Sequence, residues 1–519
     1  MTAKPHILWV DDELELLKPH FLFLEQKGYL VTGALSGSDA LDLIDDNQFD
    51  AILLDENMPG LSGIDTLMQI SAKRSEIPVI MVTKSEEEDL MEKAIASKIS
   101  DFLIKPINPH QLLLSLKKIL HRNLIMEQAT LSGYREVSAQ LMSSLSLSLT
   151  INEWKDLYSN LMRWVIDIDK YSPEIKEMFL MQYKEAELLF ARYIKNQYKT
   201  WLKDPAQRPI MSPDLFPKKI FPMLEAGERL FFILIDNFRL DQWLAVKEFL
   251  SEDFYIRHEE LYLSILPTAT QYARNAIFSG LMPVDIERMF PHLWVDEESE
   301  EGKNLNEAPL IQNLLDRYRK KFSFSYHKVN ETQFGERLLN RMDQLAEHPL
   351  NVFVLNFVDM LCHGRTESKM IRELAHDEPA YRSLTRSWFK HSTTLRIFQK
   401  IAQMGYKIVL TTDHGCVRVQ NPVRIIGEKN TSTNLRYKLG KNLSYNAKEV
   451  FSIDKPKEYG LPEKHFSDRF VFCSEDHFFA YPNNYNYYVS YYKDTFQHGG
   501  ISLEEMLIPY IVLDPKGGK

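Results

Sequence analysis

The stretch "YKIVLTTDHG", residues 406–415, is a short apolar run that stops at an Asp-His-Gly turn. Short apolar runs bounded by turn residues are typical of buried strands in parallel sheets. Two earlier runs, "RLFFILID" at 229–236 and "NVFVLNF" at 351–357, are separated by helix-like segments, and this alternation predicts an α/β domain. Alone, the Asp-His-Gly turn requires no chemistry, because Asp and Gly favour turns.

With 519 residues the chain is long enough for two or three domains. Its 44% hydrophobic and 26% charged residues are usual for a globular protein, and it has no run of about 18 apolar residues that would predict membrane insertion. Its start lacks the features of a secretion signal, so we expect a cytoplasmic protein. The formal net charge of -10 disfavours binding to duplex DNA. Three widely spaced cysteines support neither a disulfide framework nor a CxxC zinc site.

The pattern of strands and helices predicts three domains. Residues 1–122 alternate apolar strands with amphipathic helices, which predicts a doubly wound, flavodoxin-like α/β domain. Residues 123–205 lose the strand pattern and repeat aromatic and apolar residues at helical spacing from Trp154 to Ile168, which predicts a helical bundle or linker domain. A second α/β domain is predicted over 206–519.

Two further stretches interrupt these patterns. The proline-rich residues 203–222 read as a linker, because proline cannot continue a helix or lie in a central strand. Residues 425–495 have weak periodicity and predict a cap or loop region. The tyrosines at 481–492 within it could stack nucleotide bases or fill the core of a cap.

Polar side chains follow the strands of the first predicted domain. They are Asp11, Asp12, Asp55, Thr83 and Lys105. In an open parallel sheet, such groups meet beyond the carboxyl ends of the strands. Three carboxylates repel one another and need a cation, and oxygen ligands suit Mg²⁺. Asp55 could then attack a phosphoryl donor while Lys105 neutralises charge.

Four motifs around these residues resemble the response-regulator receiver family. They are "VDDE" at 10–13, "LLDENMPG" at 53–60, "MVTKS" at 81–85 and "FLIKP" at 102–106. The resemblance implies phosphorylation of Asp55 and a switch in which Thr83 moves with Phe102. It implies that Mg²⁺ is held by Asp11, Asp12, Asp55 and the carbonyl of Asn57. Lys84 stands where the family usually has a small residue.

Ligand-type side chains also follow strands of the last domain. They are Asp236, Asp359, His363, Asp413, His414 and His498. The i, i+4 spacing of Asp359 and His363 places both on one face of a helical turn. Mixed carboxylate and imidazole ligands favour Zn²⁺ or Mn²⁺ over Ca²⁺ or Mg²⁺, and six ligands are enough for two ions.

The stretch "LPTATQYARNAIFSG", residues 266–280, predicts a helix that begins near Thr270. Amide groups and the helix dipole favour negative charge at that end. A metal-bound Thr270 alkoxide is therefore a candidate nucleophile. The alternative is an N-cap threonine without a chemical role.

Together with "IDNFR", "DMLCH", "TTDHG" and "HGG", this stretch resembles the alkaline phosphatase superfamily, in particular its nucleotide pyrophosphatase/phosphodiesterase-like branch and the related PglZ domain. The resemblance implies one zinc ion held by Asp236, Thr270, Asp413 and His414. It implies a second zinc ion held by Asp359, His363 and His498. The family's nucleophile matches Thr270 rather than the competing Thr268, and Asn275 matches a position that contacts the phosphoryl oxygen.

A receiver, a helical segment and a PglZ-type domain in this order resemble the PorX-type response regulators of type IX secretion. The resemblance implies a sensor histidine kinase as phosphodonor, regulation through a sigma factor, and contact with the secretion machinery. It also implies phosphodiesterase activity toward nucleotides or oligonucleotides, cyclic ones included.

Three hypotheses for the output follow. The first is a phosphorylation-controlled, two-zinc phosphodiesterase. The second is a metal-bound scaffold that acts by binding a sigma factor or a secretion component. The third, a DNA-binding regulator, lacks a helix-turn-helix signal and conflicts with the acidic charge.

Phosphorylation is expected to promote a homodimer through the receiver, since the aspartyl phosphate must bias a two-state surface to be read elsewhere.

Overall fold

The computed structural model describes residues 4–74, 77–84, 99–120, 149–167, 173–204, 208–297, 302, 304–329, 332–428 and 431–517. Contacts divide the chain into two units, residues 1–138 and 139–519. The predicted division at 1–122, 123–205 and 206–519 stays a prediction. Among the described residues, no helix is both long enough and apolar enough to span a bilayer.

The first unit contains a five-stranded parallel sheet in the order β2-β1-β3-β4-β5. Its elements are β1 (His6–Val10), α1 (Leu14–Gln26), β2 (Leu30–Ala34), α2 (Gly37–Asp46), β3 (Ala51–Asp55), α3 (Gly63–Lys73), β4 (Val79–Thr83), β5 (Asp101–Ile104) and α4 (Pro109–Leu120). Side chains of α2 and α3 pack on one face of the sheet, and those of α1 and α4 pack on the other. The central strands are apolar throughout because both of their faces are buried. The predicted doubly wound fold is confirmed.

Two long helices open the described part of the second unit. They are α5 (Ile151–Asp167) and α6 (Pro173–Lys203). Trp154, Tyr158 and Leu161 of the predicted apolar face are buried, whereas Ile168 lies outside the described residues. The Leu266 backbone amide donates a hydrogen bond to the hydroxyl of Tyr198 on α6 at 2.9 Å. The helices therefore pack on the α/β core of the same unit.

That core is a six-stranded mixed sheet in the order β7-β19-β10-β6-β9-β8. Its strands are β6 (Leu230–Ile235), β7 (Phe254–Leu263), β8 (Phe324–Val329), β9 (Leu350–Leu355), β10 (Lys407–Thr411) and β19 (Leu507–Pro515). Strands β10, β6, β9 and β8 are parallel, and β19 and β7 extend the sheet in antiparallel pairing. The carboxyl ends of β6, β9 and β10 therefore lie at one edge, where ligands bind in open α/β sheets.

Helices surround this sheet. They are α7 (Phe221–Glu225), α8 (Leu240–Val246), α9 (Thr270–Ser279), α10 (Pro283–Met289), α11 (Glu307–Arg317), α12 (Thr332–Leu339), α13 (Phe357–Glu367), α14 (Lys369–Leu374), α15 (Glu378–His391), α16 (Thr393–Gln403), α17 (Tyr485–Tyr492) and α18 (Leu503–Met506). Helix α9 ends at Gly280, whose φ of 61° is the left-handed conformation that glycine adopts without strain. The second α/β domain predicted from the sequence is thus present.

The proline-rich stretch differs from the linker that its sequence predicted. From residue 208 onward it packs into the C-terminal core, with Met211, Phe216 and Ile220 fully buried. Pro213 and Pro217 lie in the first turns of short helical segments. Proline is tolerated there because the first amides of a helix lack an intrahelical partner.

Residues 425–495 form more regular structure than the weak periodicity predicted. The additional strands are β11 (Val417–Arg418), β12 (Asn421–Ile426), β13 (Tyr437–Gly440), β14 (Ser444–Tyr445), β15 (Val450–Ile453), β16 (Arg469–Cys473), β17 (His477–Ala480) and β18 (Phe496–Gln497). They form two three-stranded sheets and a two-stranded pair. Val423, Val471 and Phe479 share a small buried core. The strands are too short for a period of two to stand out in the sequence.

Candidate functional site

The first unit gathers the predicted receiver residues at the carboxyl ends of β1 and β3. One carboxylate oxygen from each of Asp11, Asp12 and Asp55 lies within 4.8 Å of the others. Lys105 Nζ is 2.7 Å from Asp11 Oδ2 and 3.0 Å from Asp55 Oδ2. Burial raises the pKa of Asp55, and the hydrogen bond and charge of Lys105 oppose that rise. Within the described part of the chain, the buried Asp55 Oδ1 has no hydrogen-bond partner.

The other predicted receiver residues lie on β4 and β5 or in the loops that follow β3 and β4. Thr83 ends β4 and is buried, and Phe102 in β5 is half-buried against the core formed with α2 and α3. Asn57 is exposed in the loop after β3. Lys84, the departure from the family pattern, lies 3.9 Å from Glu13 with both side chains exposed.

In the second unit, the ends of β6 and β10 bring Asp236, Asp413 and His414 together. All three are buried, and their ligand atoms lie within 4.8 Å of one another. Thr270 is the first residue of α9, and its Oγ1 lies 3.1 Å from His414 Nε2 and 3.5 Å from Asp236 Oδ1. A Cβ atom at Gly415 would collide with the carbonyl oxygen of Glu504, so the turn after His414 requires glycine. By these distances the hydroxyl of Thr270, the predicted nucleophile, faces this cluster.

The orientation of His414 is set by its own turn. Its Nδ1 lies 3.1 Å from the carbonyl oxygen of Gly415. Because a carbonyl only accepts hydrogen bonds, Nδ1 carries the proton in the neutral ring and Nε2 carries the lone pair. A backbone partner of this kind fixes the tautomer of metal-binding histidines. The lone pair of His414 thus points to the side of Thr270 and Asp236.

A second cluster follows β9 and precedes α18. Asp359 and His363 lie one turn apart on α13, with Asp359 Oδ1 3.5 Å from His363 Nε2. His498 Nε2 is 3.4 Å from His363 Nε2 and 3.8 Å from Asp359 Oδ1. Burial lowers the pKa of His498 well below its usual value, and His414 and His363 lower it further. His498 is therefore neutral, with Nδ1 3.3 Å from the carbonyl of Thr268 and Nε2 facing the cluster.

The two clusters adjoin. The rings of His414 and His498 stack with centroids 4.3 Å apart. Asn237, directly after Asp236, donates through Nδ2 to Asp359 Oδ1 at 3.2 Å. The six residues predicted as two ligand sets thus form one continuous site with a donor set of three carboxylates and three imidazoles.

The sequence reasoning missed a buried ionic network beneath this site. The guanidinium of Arg274, on α9, pairs with Asp236, with Asp413 at 2.9 Å and with Glu307 at 3.4 Å. Lys328 Nζ lies 3.3 Å from Glu307. Burial raises the pKa of Asp236. At Asp413 burial also acts to raise the pKa, but Arg274 and His414 together outweigh it, and the pKa is lowered. In the sequence, the one indication of this network was that Arg274 follows Thr270 by one helical turn in the quoted motif.

Thr268 and Asn275 lie on either side of Thr270 in sequence and make different contacts. Thr268 Oγ1 donates to the Gly500 carbonyl at 2.8 Å and accepts from the Gly499 amide at 3.1 Å. This threonine therefore holds the turn that follows His498. Asn275 is buried, and its Oδ1 accepts from Asn304 Nδ2 at 3.3 Å. Its predicted contact with a phosphoryl oxygen stays a prediction.

A groove of about 510 Å³ opens over Thr270 and over His363 and His498 of the second cluster. Thr270, His363, His498, Asn304, Asn434 and Tyr492 are among the residues that line it. Asn304, which the sequence reasoning also missed, donates to the Thr270 carbonyl at 3.2 Å. The arrangement presents the Thr270 hydroxyl and two imidazoles of the second cluster to one space large enough for a small molecule or part of a larger one.

Comparison with known families covers most of the chain. Residues 215–513 match the BREX system PglZ alkaline phosphatase-like domain. Residues 7–117 match the response regulator receiver domain, and residues 124–202 match the PorX response regulator linker domain. A receiver domain implies a cognate histidine kinase, and the PglZ domain adds a phosphatase-like output.

Individual relatives match shorter parts of the chain. The probable transcriptional regulator ycf27 of Cyanidium caldarium is 34% identical over 157 residues, 30% of this chain and 60% of its own length. The transcriptional regulatory protein ResD of Bacillus subtilis is 33% identical over 121 residues, 23% of this chain and 50% of its own length. The chain thus spans little more than half the length of these relatives.

Two solved structures cover the same share of the chain. Chemotaxis protein CheY4 of Vibrio cholerae and a CheY-like receiver domain protein of Methanospirillum hungatei are each 28% identical, with TM-scores of 0.22 and 0.23. Each covers 23% of this chain, and the match includes 100% and 96% of the respective structure. The three family matches, in the order receiver, linker and PglZ domain, identify the chain as a PorX-type response regulator that belongs to the PglZ alkaline phosphatase-like family.

Proposed function

We propose that the output domain of this response regulator is a two-zinc phosphodiesterase that acts on nucleotides or oligonucleotides, cyclic ones included. The observation that carries the proposal is the Thr270 hydroxyl beside two adjoining clusters of three ligand groups each. Thr270, with Asp236, Asp413 and His414, would hold one zinc ion, and Asp359, His363 and His498 would hold the other.

The donor set fits zinc. Carboxylate oxygens and imidazole nitrogens are usual ligands of Zn²⁺, and both buried histidines have backbone carbonyls at Nδ1 that leave Nε2 as the donor. Bound there, zinc would stabilise negative charge on phosphoryl oxygens and lower the pKa of the Thr270 hydroxyl. The chain's own contribution is to hold these donors in a buried, oriented arrangement.

Thr270 is the nucleophile in this proposal, and Thr268 positions its surroundings. The Thr270 hydroxyl lies at the first residue of α9, where amide groups and the helix dipole favour an anion. His414 Nε2, a ligand of the same proposed zinc ion, lies 3.1 Å from this hydroxyl, so a cation bound there would contact both groups and favour loss of the hydroxyl proton. The Thr268 hydroxyl is already committed to Gly499 and Gly500. The geometry therefore favours Thr270 over the competing threonine.

The charge of the site suits an anionic substrate once cations are bound. The two clusters and the network beneath them contain four carboxylates, Asp236, Asp359, Asp413 and Glu307, and two cationic side chains, Arg274 and Lys328. Two divalent ions would convert this negative excess into a positive one. A phosphodiester carries one negative charge and would then be attracted into the groove.

In the receiver, we propose phosphorylation of Asp55 by a sensor histidine kinase, with Mg²⁺ held by Asp11, Asp12, Asp55 and the Asn57 carbonyl. Lys105 would neutralise charge on the phosphoryl group, Thr83 would bind its oxygens, and Phe102 would move with Thr83. The unpartnered Asp55 Oδ1 supports this role, because it leaves a buried acceptor open to a cation or phosphoryl group. We place the protein in the cytoplasm, regulating type IX secretion through a sigma factor or a secretion component.

The direct test is metal content together with a substrate panel. Purified protein is expected to contain about two zinc ions per chain and to hydrolyse bis(p-nitrophenyl) phosphate faster than the matching monoester. Dinucleotides, linear oligonucleotides and cyclic oligonucleotides, assayed with and without phosphorylation, would then rank the natural substrates. A zinc-loaded protein that cleaves none of these diesters would refute the proposed activity.

A separate test addresses the receiver. Beryllofluoride imitates the aspartyl phosphate, and with Mg²⁺ it is expected to convert the protein to a dimer in a sizing experiment. The reason is that the modified receiver must present a changed surface to be read. An unchanged molar mass, with beryllofluoride binding verified, would contradict phosphorylation-promoted dimerisation.

A further inference from the structure

Helix α17 is an exposed row of tyrosines. Its sequence "YNYYVSYY", residues 485–492, contains five tyrosines in eight positions. None of these eight residues, all of them described, is buried. Tyr487 is 64% exposed and Tyr488 is 37% exposed. Tyr487 and Tyr488 therefore do not fill the core of the cap, which was one of the two alternatives left open by the sequence. Tyr492, by contrast, packs partly buried against the small core of Val417, Val419 and Phe478.

The rings are arranged in two parallel columns. Tyr488 and Tyr492 have centroids 6.1 Å apart with planes inclined by 10°, and Tyr487 and Tyr491 are 6.0 Å apart with planes inclined by 16°. This pairing follows from the helical period, which places residues i and i+4 on one face. Within each column the ring planes are nearly parallel. Between the columns they are steeply inclined, by 76° for Tyr487 and Tyr488 and by 86° for Tyr491 and Tyr492.

One column leads into the groove described above. Tyr492 lines that groove together with His363, His498 and Thr270. Tyr488 lies one helical turn farther from this end and stacks on Tyr492. A path of aromatic rings therefore runs from the site of the proposed diester cleavage to the open surface.

Cationic side chains accompany the tyrosines. The guanidinium of Arg372 lies 5.2 Å from the ring centroid of Tyr491, and that of Arg424 lies 5.0 Å from the centroid of Tyr485. Arg424 is exposed, and the exposed Lys493 follows the last tyrosine. The helix thus combines ring faces with positive charge, although the whole chain is acidic.

We propose that α17 is a stacking platform for the bases of a single-stranded oligonucleotide whose scissile phosphodiester lies in the groove. Nucleobases stack on exposed aromatic side chains, and neighbouring cations contact the phosphates between them. Duplex DNA is a poor occupant, because its bases already stack within the helix. The inference rests on the proposed function and adds where the remainder of the substrate binds.

The platform also defines the size of substrate. A mononucleotide diester in the groove reaches Tyr492 at most, whereas a strand of several nucleotides can extend to Tyr488 and Tyr487. Affinity is therefore expected to rise with strand length until the exposed rings are covered. Because each stacked base contributes about 1–3 kcal/mol in other single-strand binding proteins, this dependence is measurable.

The test measures binding without turnover. In full-length, zinc-loaded protein carrying Thr270→Ala, the Kd of a 5′-fluorescein-labelled pentanucleotide of adenylate is measured by fluorescence anisotropy. Adding Tyr487→Ala and Tyr488→Ala together is expected to raise the Kd at least about tenfold, by the stacking contribution of two rings. Tyr487→Phe with Tyr488→Phe retains the rings and is expected to retain most of the affinity.

Tyr255 provides a matched control. It is 64% exposed, the same fraction as Tyr487, but lies on β7 at the edge of the main sheet. Tyr255→Ala is expected to leave the Kd unchanged. An unchanged Kd in the double alanine variant would overturn the proposal, and so would an equal loss in the Tyr255 variant.

The outcomes separate this inference from the proposed activity. If the wild type hydrolyses no diester, the proposed activity is refuted. The stacking platform is judged separately, by whether the Kd of the pentanucleotide depends on the rings of Tyr487 and Tyr488. If the double alanine variant instead alters only the molar mass in a sizing experiment, α17 is a contact between copies of the chain. That result would also overturn the oligonucleotide platform.

Discussion

The receiver cluster and the output clusters use the same location in a sheet and balance their charges differently. In the receiver, Asp11 and Asp55 are neutralised by Lys105, whose side chain is 14% exposed and ends a flexible stem. In the output domain, Asp236 and Asp413 are neutralised by Arg274, which is fully buried and fixed by several carboxylates. A flexible cation would suit the proposed gain and loss of a phosphoryl group at Asp55. A fixed guanidinium suits a permanent ligand set.

The proposed nucleophiles, Asp55 and Thr270, also differ, and this difference gives the largest expected effect. Asp55 is itself a carboxylate, whereas Thr270 needs activation by the groups around it. Thr270→Ala is expected to lower kcat for bis(p-nitrophenyl) phosphate on the order of 10⁴-fold or more, as loss of a nucleophile does in other hydrolases. Steady-state kinetics and metal analysis of the same sample provide the measurement.

Thr270→Ser is the control for that variant, because it keeps the hydroxyl and loses only a methyl group. It should retain a measurable fraction of wild-type turnover. Full activity of the alanine variant with zinc content unchanged would show that Thr270 is not the nucleophile.

The second prediction concerns the fixed guanidinium. Arg274→Met leaves Asp236 and Asp413 buried together without their cation, and removal of one partner from a buried pair costs about 3–5 kcal/mol. The free energy of unfolding of the second unit, measured by urea titration without zinc, should fall by this amount. Added zinc should restore part of the loss in Arg274→Met, since it supplies positive charge to the same carboxylates. A loss below about 1 kcal/mol would contradict the fixed role of Arg274.

The sequence revealed the strand-end ligands because polarity changes abruptly where an apolar run stops. Asp236 and Asp413 follow such runs directly, and His414 adjoins Asp413. Arg274 and Asn304 could not be found in this way. Arg274 lies inside a helix, where its spacing is that of any surface residue, and Asn304 lies in a loop without a pattern. Only the packed structure places them beside Thr270.

The fold shows a similar limit. Apolar strands such as β6 and β10 read clearly from the sequence, because both of their faces demand apolar residues, and every residue in them except Lys407 is buried. The strands of the cap, of two to six residues, are less uniformly buried, and one of them, β12, buries just two of its six. The exposure of Tyr487 depends on what packs against α17, which the tyrosine spacing alone does not specify.

A third prediction concerns Lys438. Unlike Arg274, this buried cation has no carboxylate partner in an ion pair among the described residues. Lys438 Nζ donates to the Ser432 carbonyl at 2.8 Å and faces the Tyr481 ring at 4.9 Å. Burial lowers the pKa of Lys438 to about 8. The unfolded chain therefore binds the extra proton between about pH 8 and the ordinary lysine pKa, and stability rises with pH across that window.

Lys438→Met isolates this contribution. The quantity to compare is the free energy of unfolding of the wild type minus that of the variant. This difference is expected to be lower below pH 8 than at high pH, by up to about 3 kcal/mol. Urea titrations of both proteins at pH 7.5 and pH 9.5 give the difference, and other titrating groups cancel between them. A pH dependence that is the same in the two proteins would show that Lys438 is charged in the folded state at both pH values.

The smallest effect is expected at the flexible cation of the receiver. Burial lowers the pKa of Lys105, but its hydrogen bonds and charge interactions with Asp11 and Asp55 outweigh burial, so the pKa is raised and the amine is charged. Lys105→Met should cost about 1 kcal/mol in unfolding of the first unit, because Asp12 and the cluster mouth remain open to water and counter-ions. The main consequence should instead be slower phosphoryl incorporation from a small phosphodonor, followed by mass spectrometry of the intact chain. If Lys105→Met destabilised its unit as much as Arg274→Met destabilises the other, the distinction between a flexible and a fixed cation would fail, and both clusters would be permanent ion networks.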